Sequence, residues 1–81
     1  MQTAKTTFHY DIVLSKDKYV GYFEHHEHGE DAGGGLWFAQ NDEGRLALID
    51  CDGPGSAEGI PDEVAVALIE LGFVVDEDFR R

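Results

Sequence analysis

The chain has 81 residues, of which 17 are acidic and 6 are basic, so its formal net charge is −11 at pH 7. This length predicts a single domain over residues 1–81 with one small hydrophobic core, which excludes a catalytic domain beside a regulatory one. The single cysteine, Cys51, excludes an internal disulfide, and the negative charge disfavours binding to nucleic acid backbones and anionic membrane surfaces.

The location of the protein is predicted from segments that the sequence lacks. No apolar run approaches the roughly 20 residues that a membrane-spanning helix needs, and the N-terminal residues contain no apolar segment of the signal-peptide kind. One cysteine without a disulfide framework is typical of a reducing compartment. We therefore expect a cytoplasmic protein that does not associate with membranes.

Alternating apolar residues predict four strands in the first two thirds of the chain. Residues 7–14 and 19–24 alternate as half-buried strands do, and the polar turn between them predicts an antiparallel hairpin. Residues 25–35 are polar and end in three glycines, which is typical of a loop. Residues 36–40 and 45–50 predict a second hairpin, because the turn sequence Asn-Asp-Glu-Gly stands between them. The four strands would follow one another as a meander.

The C-terminal third predicts one helix. Pro61, Asp62 and Glu63 are typical of a helix start, since proline fits the first turn and carboxylates favour the positive end of the helix dipole. Apolar residues then recur at helical spacing until Gly72, which is suited to end the helix in a left-handed conformation. The fold class is therefore α+β, with a small antiparallel sheet of four strands, or five if residues 73–75 join it, and one C-terminal helix packed on one face.

A histidine cluster lies in the predicted loop, where residues 24–31 contain three imidazoles and four carboxylates. In an extended backbone Glu24, His26 and His28 point to one side, and two histidines with a carboxylate are able to ligate zinc or nickel. The cluster has no HExxH motif and no second pair of ligands at fixed spacing. Two interpretations stay open: a solvated polar loop, and a small divalent-metal-binding protein that uses residues 25–28.

The other motifs do not support an enzyme or a cofactor site. Asp50 and Asp52 resemble the start of a calcium loop, but Pro61 occupies the twelfth position, where a bidentate glutamate is required. We therefore interpret the two aspartates as turn-capping residues. Cys51 lies between them, and because neighbouring carboxylates raise the pKa of a thiol, a structural role is predicted for it. The sequence predicts a non-enzymatic protein with no cofactor.

Aromatic residues are concentrated in the predicted strands. We interpret most of them as core, since a base-stacking platform also needs basic residues that follow the nucleic acid backbone. Trp37 and Tyr22 are expected to reach the surface, because they are opposite in phase to Phe38 and Phe23 on their strands. Exposed in this way, they would act as apolar anchors inside an acidic rim, as in protein interfaces whose binding energy is concentrated in a few residues.

Acidic residues dominate from residue 19 to residue 79, where there are fifteen carboxylates and one basic residue, Arg45. Two interpretations stay open: the charge serves solubility alone, or a carboxylate surface competes for a basic groove that binds nucleic acid. The helix-edge carboxylates Asp62, Glu63 and Glu70 are candidates for such a surface. The predicted partner-binding residues are Glu24, Glu27, Glu30, Asp31, Trp37, Asp42, Glu43, Asp76, Glu77 and Asp78.

In its size, its acidic excess and its sheet-plus-helix plan, the chain resembles the small acidic proteins that phages use against host defence, including anti-CRISPR and anti-restriction proteins. The resemblance implies a non-enzymatic inhibitor that binds a host nuclease or a CRISPR surveillance complex at its nucleic-acid-binding surface. The expected partner is then a basic nucleic-acid-binding protein or complex, with no direct contact to nucleic acid. A homodimer stays open.

Overall fold

A computed structural model of the chain describes residues 2–16, 18–24, 33–53 and 59–80. In chain order the elements are β1 (Gln2–Thr6), β2 (Tyr10–Lys16), β3 (Tyr19–Glu24), β4 (Gly33–Gln40), β5 (Leu46–Asp52), α1 (Asp62–Glu70) and a 3₁₀ turn (Glu77–Phe79). The strands form one sheet in the order β1-β2-β3-β4-β5, and every neighbouring pair is antiparallel. The α+β class and the meander are confirmed.

The fifth strand is β1 at the N-terminus, which the sequence pattern does not reveal. Its residues show no apolar alternation, and it is an edge strand that pairs with β2 through backbone hydrogen bonds. The predicted last strand makes only an isolated parallel bridge, from Val74 to Ala47. The N–H of Leu48 donates to the carbonyl oxygen of Val74 at 2.9 Å. Both pairings are made by backbone groups, which do not require apolar side chains. A polar strand such as β1 therefore shows no apolar alternation in the sequence.

The first predicted strand begins later than expected. β2 starts at Tyr10, and Phe8 lies in the connection from β1, where it is 82% exposed instead of part of an alternating strand. Thr7 closes this connection, since its hydroxyl donates to the carbonyl oxygen of Tyr10 at 2.8 Å and accepts from the Tyr10 N–H at 2.9 Å. This local hydrogen bonding competes with strand pairing and explains the later start.

Helix α1 packs on one face of the sheet, as predicted. Pro61 precedes its first residue, and Gly72 follows its end with a φ of +102°, the left-handed conformation expected there. Among the described residues, no helix combines the length and apolar character needed to cross a membrane. The buried residues that α1 contributes to the core are Val64, Ala65, Ala67 and Leu68, and those of the strands are Ile12, Val20, Tyr22, Leu36, Phe38 and Leu48.

Tyr22 lies in this core, so the prediction that it reaches the surface is wrong. The register pairs Tyr22 with Ile12, and both side chains are fully buried. The Tyr22 ring also contacts the ring of Tyr10 edge to face, with centroids 5.9 Å apart. Phe23 takes the opposite face of β3 and is 54% exposed. The phase of β3 is therefore set by its pairing with β2, which the aromatic character of the strand alone does not show.

Candidate protein-interaction surface

The face of the sheet remote from α1 is the candidate functional surface, and we call it the open face. No described element packs across it, and its large side chains stay partly in solvent: Trp37 is 44% exposed and Phe23 is 54% exposed. Cross-strand partners share a face, so the register defines its members. They include Asp11 and Val13 on β2, Tyr19, Gly21 and Phe23 on β3, Gly33, Gly35 and Trp37 on β4, and Asp50 and Asp52 on β5. Lys16, at the end of β2, is the register partner of Tyr19.

Glycines on the open face allow its aromatic rings to lie against the sheet. A Cβ atom on Gly35 would come 2.6 Å from the hydroxyl oxygen of Tyr19, which shows that the Tyr19 ring occupies the space above this glycine. A Cβ atom on Gly33 would likewise come 3.1 Å from the ring of Phe23. Aromatic rings that cover strand glycines recover packing that the glycines lack. The rings therefore form a low apolar layer on the sheet.

The glycine run was predicted to belong to a loop, and this is wrong. Gly33 and Gly35 are residues of β4, with Gly33 opposite Phe23 and Gly35 opposite Gly21. Neither has a positive φ, so conformational freedom does not explain them. Their role is steric, because any larger residue would collide with Tyr22, Phe23 or Tyr19.

Trp37 is held in place by its neighbours on the open face. Its ring centroid lies 4.4 Å from that of Tyr19, which is its direct partner across β3 and β4. On the other side, a bulge in β5 places Ile49 and Asp50 opposite Trp37, and Ile49 is 58% exposed. The indole is thus partly exposed to solvent, with the Tyr19 ring against it and Asp50 as its register partner on β5.

Carboxylates border the aromatic layer on two strands. Asp50 lies opposite Trp37 and Asp52 opposite Gly35, and both are exposed on β5. Asp11, on β2, is paired with Phe23 and is partly exposed. The two β5 aspartates were predicted to cap a turn, and no role was predicted for Asp11. Their common face with the exposed aromatic residues follows from the strand register, since those aromatic residues lie on β3 and β4.

The described members of the predicted partner-binding set lie in different elements of the fold. Trp37 reaches the open face as expected, whereas Asp42 and Glu43 are exposed in the β4–β5 turn, where the Asn41 side chain accepts the Glu43 N–H at 2.9 Å. The acidic residues of the C-terminal segment, Asp76, Glu77 and Asp78, are also exposed. Glu27, Glu30, Asp31, His26 and His28 lie outside the described residues.

Glu24 does not belong to the open face. It stands opposite Tyr10 at the end of β3, on the side of the sheet that carries the core. One of its carboxylate oxygens, Oε1, is shielded from solvent and has no hydrogen-bond partner among the described residues. The carboxylate is only partly exposed. It therefore lies on the opposite side of the sheet from Asp11, Asp50 and Asp52.

The carboxylates at the start of α1 form internal contacts. Asp62 pairs with Arg80 through its Oδ1 atom, which ties the C-terminal segment to the helix. Glu63 pairs with His9, with 2.7 Å between Oε1 and the imidazole Nδ1. Burial by itself would raise the pKa of Glu63, but hydrogen bonds from His9 and Thr7 outweigh it and leave this pKa below its usual value. These two carboxylates thus make internal contacts, and their role at a binding surface stays a prediction.

Cys51 fits the structural role predicted for it. Its side chain is partly buried against the core, and burial raises the pKa of the thiol, with a further rise from the charge of Asp50. A raised pKa lowers the fraction of reactive thiolate. Within the ranges that the structure describes, no group of three histidine, cysteine or carboxylate side chains is arranged to hold a metal ion. The predicted metal alternative rests on residues 25–28, which lie outside those ranges.

Comparison of the chain with protein-family models, with curated proteins and with solved structures finds no match.

Proposed function

We propose that this chain is a non-enzymatic acidic protein that binds the basic, nucleic-acid-binding surface of a partner protein and blocks it. The partner we propose is a host nuclease or a CRISPR surveillance complex, and the chain acts as a phage-type inhibitor. The observation that carries the proposal is the open face, where a fixed aromatic layer lies between carboxylates on a chain of net charge −11. Apolar anchors inside a charged rim are the arrangement of a protein interface.

The charge of the surface selects the chemistry of the partner. Aspartates at the rim repel the phosphates of nucleic acid, so the aromatic layer is unsuited to stacking bases directly. A groove lined with lysine and arginine is attracted by the same charges, both at long range and in contact. Because such grooves exist to bind nucleic acid, occupancy by this protein excludes the nucleic acid.

Affinity capture tests the proposal. The tagged protein is exposed to host lysate at about 0.1 M and about 0.5 M salt, between which the screening length falls from roughly 10 Å to under 5 Å. We expect a basic nucleic-acid-handling protein to be enriched at low salt and depleted at high salt. The captured protein is then purified and bound to a labelled duplex, and we expect this chain to displace the duplex in a fluorescence anisotropy titration.

Matched variants locate the binding surface. The double variant Asp50→Asn, Asp52→Asn neutralises the rim of the open face, and Asp76→Asn, Asp78→Asn removes the same charge from the C-terminal segment. We expect the first to weaken capture much more than the second. A captured partner that binds the duplex and this chain at the same time contradicts the proposal, as does capture that is unaffected by salt. Addition of EDTA to the same assay distinguishes the proposed inhibitor from a metal-binding protein. Only the metal-binding protein is expected to lose binding when EDTA removes the metal.

A further inference from the structure

We infer that the open face binds an arginine side chain of the partner, with the guanidinium stacked on Trp37 and paired with the carboxylate of Asp50. The inference rests on the proposed function and names the group that the surface recognises. It follows from the juxtaposition of an exposed indole and an exposed carboxylate at directly opposite positions of β4 and β5.

The geometry suits a planar cation. Asp50 is the cross-strand partner of Trp37, and side chains of such partners interact across a sheet face, so a cation over the exposed part of the Trp37 ring lies within reach of the Asp50 carboxylate. Asp50 Oδ1 accepts the N–H of Cys51 at 2.9 Å, which orients the carboxylate. Tyr19 fixes the indole from the other side, and the ring of Tyr19 is itself seated above Gly35. Little conformational entropy is then lost on binding.

Arginine fits this site better than lysine. The guanidinium is flat, stacks on aromatic rings and donates two parallel hydrogen bonds to a carboxylate, and it is less strongly hydrated than an ammonium group. Tryptophan is also the side chain that binds a cation over its ring most strongly. A lysine would keep the Coulomb attraction to Asp50 and an attraction to the indole ring. It would lack the planar stacking and the two parallel hydrogen bonds that a guanidinium makes.

A second copy of this chain is a poorer occupant of the same face. Two open faces in contact would bring together the rim aspartates of both copies, and each copy has a net charge of −11. Like charges at the rim of an interface disfavour association. Charge complementarity therefore selects a basic partner for the exposed aromatic layer.

A pair of matched peptides tests the inference. One peptide contains three arginines separated by glycines, and the other contains lysines at the same positions. Trp37 is the only tryptophan of the chain, so its emission reports binding at the site. At about 0.1 M salt we expect the arginine peptide to bind about two- to fivefold more tightly than the lysine peptide, because stacking and forked hydrogen bonds add to the cation–π attraction that both cations make.

Three variants separate this site from general charge attraction. Asp50→Asn should weaken the arginine peptide more than the lysine peptide, whereas Asp78→Asn, with the same charge change, should weaken both slightly and equally. Trp37→Leu, measured by anisotropy of labelled peptides and checked for folding by circular dichroism, should abolish the preference for arginine. Equal affinity of the two peptides for the wild-type protein overturns the inference. Equal effects of Asp50→Asn and Asp78→Asn also overturn it, as does a dimer in sedimentation that Trp37→Leu dissociates.

The failure of this inference differs from the failure of the proposed function. If salt-sensitive capture of a nucleic-acid-handling protein succeeds while the peptides bind equally, the arginine site is wrong and the proposed function stands. If the arginine preference is found but no such protein is captured, the site stands and the proposed partner class is wrong.

Discussion

Both faces of the sheet carry aromatic side chains, yet among the described elements a helix covers only one of them. Tyr22 on the core face is fully buried, whereas Phe23, the next residue of the same strand, is 54% exposed. Asp11, Asp50 and Asp52 lie in register with the open face, whereas Glu24 at the end of β3 lies on the core side. Neither aromatic character nor charge alone therefore shows which face of a strand is buried.

The largest effect we expect comes from neighbouring residues on opposite faces of β4. Leu36→Ala should lower the free energy of unfolding by about 2–5 kcal/mol, because it removes a fully buried side chain from the core. Trp37→Ala should cost less than half of that despite the larger side chain, since the indole is 44% exposed. Urea unfolding of both variants measures the difference. An equal loss in the two variants would show that the open face is a second core.

The packing of the open face is tested through Gly35. Gly35→Ala places a methyl group against the Tyr19 ring and should cost about 1–3 kcal/mol, together with a shift in Trp37 emission as Tyr19 moves. Combined with Tyr19→Ala, the same substitution should cost much less, because the obstructing ring is gone. A double-mutant cycle from urea unfolding measures this coupling. If the losses of stability from Gly35→Ala and Tyr19→Ala are strictly additive, the Tyr19 ring does not pack on Gly35 as described.

The contact of α1 with the β1–β2 connection gives a pH dependence. Because the pKa of Glu63 is lowered in the folded protein, its contribution is complete above the unfolded-state pKa, about 4.3, and is lost as pH falls through the lower folded-state value. Glu63→Gln should therefore cost about 1 kcal/mol at pH 7 and make stability less sensitive to pH below about 4.3. Thermal unfolding from pH 7 to pH 3 measures it. Parallel pH profiles of variant and wild type would contradict this role.

The smallest effect on stability is expected at the acidic rim. Asp52→Asn should change the free energy of unfolding by no more than about 0.5 kcal/mol, because the side chain is exposed on a chain of net charge −11. The same substitution should weaken binding of a basic partner. Denaturant unfolding and the capture assay, performed on one preparation, measure the two quantities. A large loss of stability would place Asp52 among the residues that hold the fold.

Part of the candidate surface was predictable and part was not. The turn before β5 formed as expected, with Gly44 at a φ of +79° and the Asn41 side chain accepting two backbone N–H groups, because short-range chemistry determines it. The exposure of Trp37 was also predicted correctly. The choice between Tyr22 and Phe23 was not, since both suit either face and the pairing with Ile12 decides between them.

Local pattern determined the α+β class and the helix with its terminal Gly72, because each depends on residues close together in the chain. Composition alone determined the net charge of −11. Tertiary structure decided the membership of the open face. Asp50 meets Trp37, and Glu63 meets His9 across more than fifty residues, only because strand register and helix packing bring them together. Such contacts depend on how all the elements satisfy one shared core, and no single segment carries that information.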